Sequence, residues 1–253
     1  MSTDHTQRFT TRAGVYAACR PTYPPTVLDV LRAECGLAPQ HVIADVGAGT
    51  GLLTEVFARG GYRVYGVEPN AAMRAEAEAA LAGCAGYTSL PSRAEATGLA
   101  DGSVDFITVA SALHWFDPAP TQAEFRRILR PGGVLVIAYN RRDAEAGGFS
   151  AAFDAIRNDY GAHSPELKAR RGDEALKTWF GHADWRRAVL PNPQEHDWDG
   201  VVGLMRSYST IPDKGQSGYE EWLARLRAAF DQHAVEGRVT VAHACGLSYG
   251  PMV

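Results

Sequence analysis

The sequence predicts an α/β fold, a mostly parallel sheet with helices on both faces, and three observations carry that expectation. An apolar run, Val42 to Val46, ends in glycines spaced Gly47-x-Gly49-x-Gly51 and passes directly into a helical pattern with Leu52, Leu53, Val56 and Phe57, which reads strand, glycine turn, helix. A second buried strand, Val64 to Val67, ends in Glu68, 21 residues after Gly47. Two further apolar strands, Val104 to Ala110 and Val134 to Tyr139, alternate with helical stretches, as parallel strands joined by crossover helices do.

Composition bounds the rest. With 253 residues, 45% hydrophobic and 21% charged, the chain suits one large globular domain over 1–253. A formal net charge of -4 without a basic stripe argues against a nucleic-acid partner. Met1 to Phe9 lacks the apolar core of a signal peptide, and no window approaches the roughly 18 apolar residues of a membrane span, so no membrane partner and a cytoplasmic location are expected. Cys19, Cys35, Cys84 and Cys245 are scattered without metal-ligand spacing, which reads as reduced thiols and no metal. A monomer and a homodimer are both compatible with the sequence.

Taken in order, the chain should open with frayed residues 1–8 and a short helix from Phe9 to Arg20 carrying Val15, Tyr16 and Cys19 at helical spacing. The prolines of Arg20-Pro21-Thr22-Tyr23-Pro24-Pro25 break it, and a second helix follows over about Thr26 to Cys35. Gly60-Gly61 stops the helix after the glycine turn, and Asn70 caps an alanine-rich helix running to Ala82. Gly86 to Leu90 is a weak strand, Asp101-Gly102-Ser103 a turn, and Asp117-Pro118 opens a helix through Phe125, Ile128 and Leu129. Residues 141–184 change character and read as an inserted helical cap. In 185–253, strands are expected at Arg186 to Leu190 and Val239 to Cys245, with helices near Asp199 to Ser209 and Ser217 to Val235 between them.

The glycine turn is where chemistry is expected. Its backbone needs angles that a Cβ disfavours, and a ligand can approach main chain that carries no side chain. Asp45, at the end of the strand, would repel a pyrophosphate and attract a cation, which favours a ligand with a positively charged amino group. Glu68 can accept two hydrogen bonds from a ribose diol. Ser111-Ala112-Leu113-His114-Trp115 lies beyond the carboxyl end of the fourth strand, where ligands of parallel sheets bind.

Together with Leu129-Arg130-Pro131-Gly132-Gly133, Ala112-Leu113-His114-Trp115-Phe116-Asp117 and the Arg20-to-Pro24 stretch, these motifs resemble the class I S-adenosylmethionine-dependent methyltransferases, and within them the type 11 small-molecule group. The resemblance covers residues 9–140 well and the remainder weakly. It implies a Rossmann-like seven-stranded sheet with the last strand antiparallel, a cofactor-binding half over 9–140, and S-adenosylmethionine as cofactor with S-adenosylhomocysteine as product. It also implies roles for particular residues. Gly47, Ala48, Gly49 and Gly51 would supply the main chain against the cofactor, Asp45 would face its amino acid end, and Glu68 with Pro69 would hold the ribose. Tyr16 and Arg20 would reach the methionyl end, and Met73, Ala94 and Glu95 would frame the adenine. Arg93 stands where the family has an acid, a departure at the adenine motif. Each of these side chains also has a plain structural reading, as core or solvated surface.

Methyl transfer from a sulfonium is an in-line displacement, and holding the nucleophile within about 3.5 Å of the methyl supplies much of the catalysis without a triad. An acceptor hydroxyl would profit from a base, for which His114 is the candidate, whereas a carboxylate would need none and His114 would shape the pocket. Methylation of oxygen or of a carboxyl on a small organic acceptor is favoured, with nitrogen and carbon open. Trp115, Tyr139, Arg206 and Tyr208 are the candidates for the acceptor pocket. Two readings compete: a cofactor-binding module without transferase activity, and an NAD-dependent dehydrogenase, whose fingerprint places its third glycine one residue later.

Overall fold

The computed structural model describes residues 19–143, 146–160, 173–181, 184–208 and 210–252. Residues 9–18 of the expected first helix, Tyr16 among them, lie outside these residues. Helix α1 (Thr26–Cys35) turns Val27, Leu28 and Leu31 inward. Strand β1 (Val42–Val46) is buried at all five positions, as the centre of a sheet covered on both faces should be. Then come α2 (Leu52–Arg59), β2 (Arg63–Val67), α3 (Ala71–Ala80), β3 (Tyr87–Leu90), β4 (Val104–Ala110), α4 (Pro118–Ile128) and β5 (Leu129–Arg142). The second half holds α5 (Gly148–Asn158), α6 (Asp173–Phe180), β6 (Arg186–Pro191), β7 (Gln194–His196), α7 (Trp198–Arg206), α8 (Tyr219–His233), β8 (Val239–Val241) and β9 (His243–Pro251).

Seven strands form one sheet in the order β3-β2-β1-β4-β5-β9-β6. β1 to β5 are mutually parallel, and β9 runs antiparallel between β5 and β6. The strand order reverses between β1 and β4, so the crevice for a ligand lies past their carboxyl ends. One face of the sheet carries Ala44, Ile107, Ile137 and Tyr139 against Phe125 and Ile128 of α4 and Trp179 and Phe180 of α6. The other carries Ile43, Phe106, Val136 and Leu247 against α1 and against Leu53 and Phe57 of α2.

A third core lies beside the sheet. Phe153 of α5, Leu204 and Met205 of α7, and Trp222, Leu226 and Phe230 of α8 pack on Val239 and Val241. The stretch 141–184, expected as one cap, is therefore divided. α5 joins this third core, while α6 covers the sheet, its Trp179 ring 6.2 Å from that of Phe125.

The last strand corrects the expectation of Val239 to Cys245. Val239–Val241 pairs with β7 in a separate two-stranded ribbon, and β9 runs from His243 through Gly246 and Gly250 to Pro251. Glycine brings no side chain to a hydrophobic pattern, so the pattern fades where the hydrogen-bonded ladder continues. Among the described residues, no helix is long and apolar enough to cross a membrane.

Candidate functional site

After Val46 the chain turns at Gly47, and the N–H groups of Gly47 and Ala48 both donate to the Val67 carbonyl, at 2.8 and 3.1 Å. The first two glycines answer different needs. Gly47 (φ 70°) lies so close to the segment after β4 that a Cβ would stand 2.6 Å from Ala112 Cβ. Gly49 (φ 58°) has nothing within 4 Å of the place a Cβ would take, so its bare backbone faces open space. Gly51 starts α2 against Ala77 of α3.

Glu68 closes the loop from the side. Its Oε2 accepts the Gly49 N–H at 3.0 Å and its Oε1 the Asn70 N–H at 2.9 Å. A carboxylate oxygen has a second lone pair, so both atoms can still accept from a diol. Burial raises the pKa of Glu68, against the lowering by these two N–H groups and by Arg74. Arg74 donates to the Glu68 and Pro69 carbonyls at 2.9 Å each, which fixes the turn into α3.

Asp45 does not reach the open side of the loop. It is fully buried, with Oδ2 accepting from the Thr54 hydroxyl at 2.6 Å and Oδ1 from the Thr108 hydroxyl at 2.7 Å. It therefore ties β1 to α2 and β4, and the expected direct contact with a ligand is not built. Burial pushes its pKa up to about 6, although both hydroxyls oppose the shift, and the charge of Glu68 pushes it further. Two carboxylates under one loop favour a ligand that brings positive charge and disfavour a pyrophosphate.

Past β4, Ser111 adopts φ 54°, rare for a residue with a side chain. Its N–H donates to Ala138 on β5 at 3.0 Å, and its hydroxyl lies 3.3 Å from the Tyr23 hydroxyl. Such strain persists only where surroundings hold it, and it clusters at ligand sites. Ala112 is buried, and the turn Leu113–Trp115 presents His114 and Trp115 side by side, ring centroids 4.7 Å apart. Trp115 is 37% exposed, an uncommon state for so large an apolar ring.

A strap formed by residues 20–23 crosses this end of the sheet. Asn140 donates to the Pro21 and Thr22 carbonyls at 3.1 and 2.9 Å, and Asn192 donates to the Thr22 carbonyl at 2.6 Å and to Asn140 Oδ1 at 3.0 Å. Gln194 Oε1 accepts from both the N–H and the hydroxyl of Thr22. Arg20 donates to the Ser207 carbonyl at 3.1 Å and stands 4.5 Å from the centroid of the Tyr208 ring. The arginine expected at the cofactor and the tyrosine expected at the acceptor are thus in direct contact. Sequence reasoning passed over Tyr23, Asn140 and Asn192; the only signal for them was the proline-rich stretch, which marks a strap without naming what binds it.

The other expected residues lie on neighbouring elements. Met73 is buried in the first turn of α3, its N–H capped by Asn70 Oδ1 at 3.0 Å. Ala94 is buried, while Glu95 leans on Arg93 at 3.7 Å and accepts the Asp117 N–H at 3.3 Å. Tyr139 turns into the α4 and α6 face of the sheet. Arg206 pairs with Asp213 at 3.7 Å. A depression of about 480 Å³ beside Arg59, Gly61, Cys84 and Gly86 lies at the opposite, amino ends of β2 and β3 and has no part in this arrangement.

Residues 44–137 match the family model described as a methyltransferase domain. An uncharacterized methyltransferase of Mycobacterium tuberculosis is 39% identical over 144 residues, and the match takes in 57% of this chain and 56% of that relative, so the chain spans little more than half its length. A candidate methyltransferase of Dictyostelium discoideum is 28% identical over 219 residues, 84% of this chain and 80% of that protein. Among solved structures, a candidate type II methyltransferase from Anaeromyxobacter dehalogenans superposes with a TM-score of 0.69 at 25% identity, over 92% of this chain and 97% of that one.

Proposed function

We propose that this chain, whose residues 44–137 match a methyltransferase domain, is a class I methyltransferase that transfers a methyl group from S-adenosylmethionine to a small organic acceptor. The observation that carries the reading is the pairing of Gly49 with Glu68: open main chain on one side, and on the other a carboxylate whose oxygens retain lone pairs toward the same space. The residues fit the cofactor. Its ribose diol suits Glu68, its cationic sulfur and ammonium suit the negative charge of Asp45 and Glu68, and its chain has room beside Gly49.

When bound, that group supplies a methyl on a positively charged sulfur, which already leaves readily. The protein's part is placement. Gly47 lets Ala112 and Phe116 pack against the loop, which brings the segment that carries His114 and Trp115 toward it and supports a role for both beside the methyl. The exposed Trp115 ring offers an apolar wall that displaces water from a nucleophile. His114 accepts the proton of an acceptor hydroxyl as the oxygen attacks, and Tyr23 with Ser111 fixes the strap above. The small acceptor is favoured over a macromolecule because the strap from Arg20 to Tyr23 is fastened across this end of the sheet.

Isothermal titration with S-adenosylhomocysteine and with NAD tests the cofactor. Binding of the first and not the second is expected, and the reverse result sinks the reading. Release of S-adenosylhomocysteine in an acceptor screen separates a transferase from a module that only binds.

A further inference from the structure

At the end of β5 lies a cationic cluster whose Arg142 and Arg157 the methyl-transfer chemistry does not use. Arg142 stands four residues past Ala138, the partner of Ser111, hence about 13 Å farther along the strand. Asp154 of α5 accepts from Arg142 and, at 3.4 Å, from Arg157. Arg142 also donates to the Tyr208 hydroxyl. The guanidinium carbons of Arg20, Arg142 and Arg157 lie 4.5, 5.0 and 5.3 Å from the centroid of that one ring.

The cluster is deeply set. Side-chain exposures are 13% for Arg142, 9% for Arg157 and 12% for Asp154. Burial and the neighbouring charge of Arg142 both lower the pKa of Arg157. His243, 5% exposed, lies with Nδ1 3.1 Å from the Val241 carbonyl, and its Nε2 has no hydrogen-bond partner among the described residues. Burial, reinforced by Arg142, holds that imidazole neutral with a pKa of about 4, so it adds no compensating charge. Two buried guanidiniums thus share one carboxylate. An arrangement with surplus buried charge is costly, and apolar residues of similar volume would stabilise a fold as well or better.

We propose that this cluster anchors a carboxylate on the methyl acceptor, at a distance from the atom that is methylated; the proposal rests on the methyltransferase reading. Positive charge exceeds negative in the cluster, as an anionic ligand requires, and the planar guanidinium fork matches the two oxygens of a carboxylate. The anchored group is a handle and not the nucleophile, because Arg142 stands about 13 Å along β5 from Ala138, the partner of Ser111. Tyr208 and Arg20 join the anchor to the strap, which places the handle on the acceptor side of the site.

The test uses the full chain with S-adenosylmethionine and a matched panel: hydroxybenzoic acids and short hydroxyalkanoic acids, their primary amides, and hydroxyphenyl phosphates. Release of S-adenosylhomocysteine is the readout. The acids are expected to show KM about 10- to 100-fold below their amides, with Arg157→Gln raising the KM of the acids by that factor, leaving kcat within about threefold and S-adenosylhomocysteine affinity within about twofold. Should Arg157→Gln fail to fold, Arg142→Lys, which keeps the charge and loses the fork, provides the same comparison. A panel in which no acid is turned over better than its amide overturns the anchor, as does preference for the phosphates or a variant with unchanged KM. Failure of the wild-type protein to bind S-adenosylhomocysteine overturns the methyltransferase reading itself, which distinguishes the two.

Discussion

The Gly49 N–H donates to Glu68 Oε2 at 3.0 Å, across 19 residues of sequence. This bond joins the loop after β1 to the end of β2, so the backbone that faces the ligand and the carboxylate that would grip it move as one unit. Asn70 N–H holds the other oxygen at 2.9 Å, and the side chain has little freedom left to lose on binding.

Glu68→Ala removes both acceptors at once. Affinity for S-adenosylhomocysteine should fall by about 2 to 4 kcal/mol, measured by titration calorimetry. A variant that binds as tightly as the wild type defeats the ribose assignment.

Gly47 and Gly49 should separate packing from binding. Gly49→Ala adds a methyl to empty space at a left-handed φ, costing about 1 to 2 kcal/mol of stability while blocking the cofactor. Gly47→Ala meets Ala112 at 2.6 Å and should cost distinctly more stability. Thermal melts with and without S-adenosylhomocysteine check this: a Gly49→Ala protein that still gains stability from the ligand is the adverse result.

Asp45 should make stability depend on pH. Its carboxyl ionises near 3.8 when exposed and at about 6 in the fold, so the native state holds the extra proton between these values. The stability from that proton is complete below about 3.8 and lost as pH rises through about 6. Asp45→Asn removes the dependence. Its unfolding free energy, relative to wild type, should rise by on the order of 2 to 3 kcal/mol between pH 4 and pH 8 in urea titrations. An equal offset at both pH values argues that Asp45 is not held as described.

His114 should carry the proton from an acceptor hydroxyl. His114→Ala is expected to lower kcat by about 10²- to 10⁴-fold with cofactor affinity nearly intact. A loss confined to KM, largely restored by His114→Asn, would instead make the ring a wall of the pocket.

The parallel half of the fold was legible where a strand is buried on both faces and reads as an apolar run, as Val42 to Val46 does, whereas β3, with no buried position, read only as a weak strand. The second half was harder to read for stated reasons. β9 contains Gly246 and Gly250, which weaken the pattern, and α5 and α6 have equally apolar stripes that reveal nothing of which core each joins. At the site, spacing pointed to Gly49 and Glu68, which the fold brings into direct contact at the main-chain turn that the motif specifies. It misplaced Asp45, whose charge suggested a ligand while Thr54 and Thr108, 9 and 63 residues away, take up both oxygens. Arg142, Arg157 and Tyr208 meet only through the tertiary fold, so no local pattern marks them as a group.

The antiparallel strand β9 has a bearing on how the protein is made. It is wedged between β5 and β6, pairing with nine residues of one and six of the other, and it follows both in the chain. During synthesis β1 to β5 can assemble from nearby segments, but the flank of β5 stays uncovered until residue 251 has left the ribosome, and β6 has no seat before then. The late species has an open apolar strand edge, the feature most prone to pairing between chains. Ribosome-stalled chains ending before His243 should therefore be protease-sensitive beyond β5 and recruit chaperones, and release of the final strand should act as a latch that locks both halves together in one step.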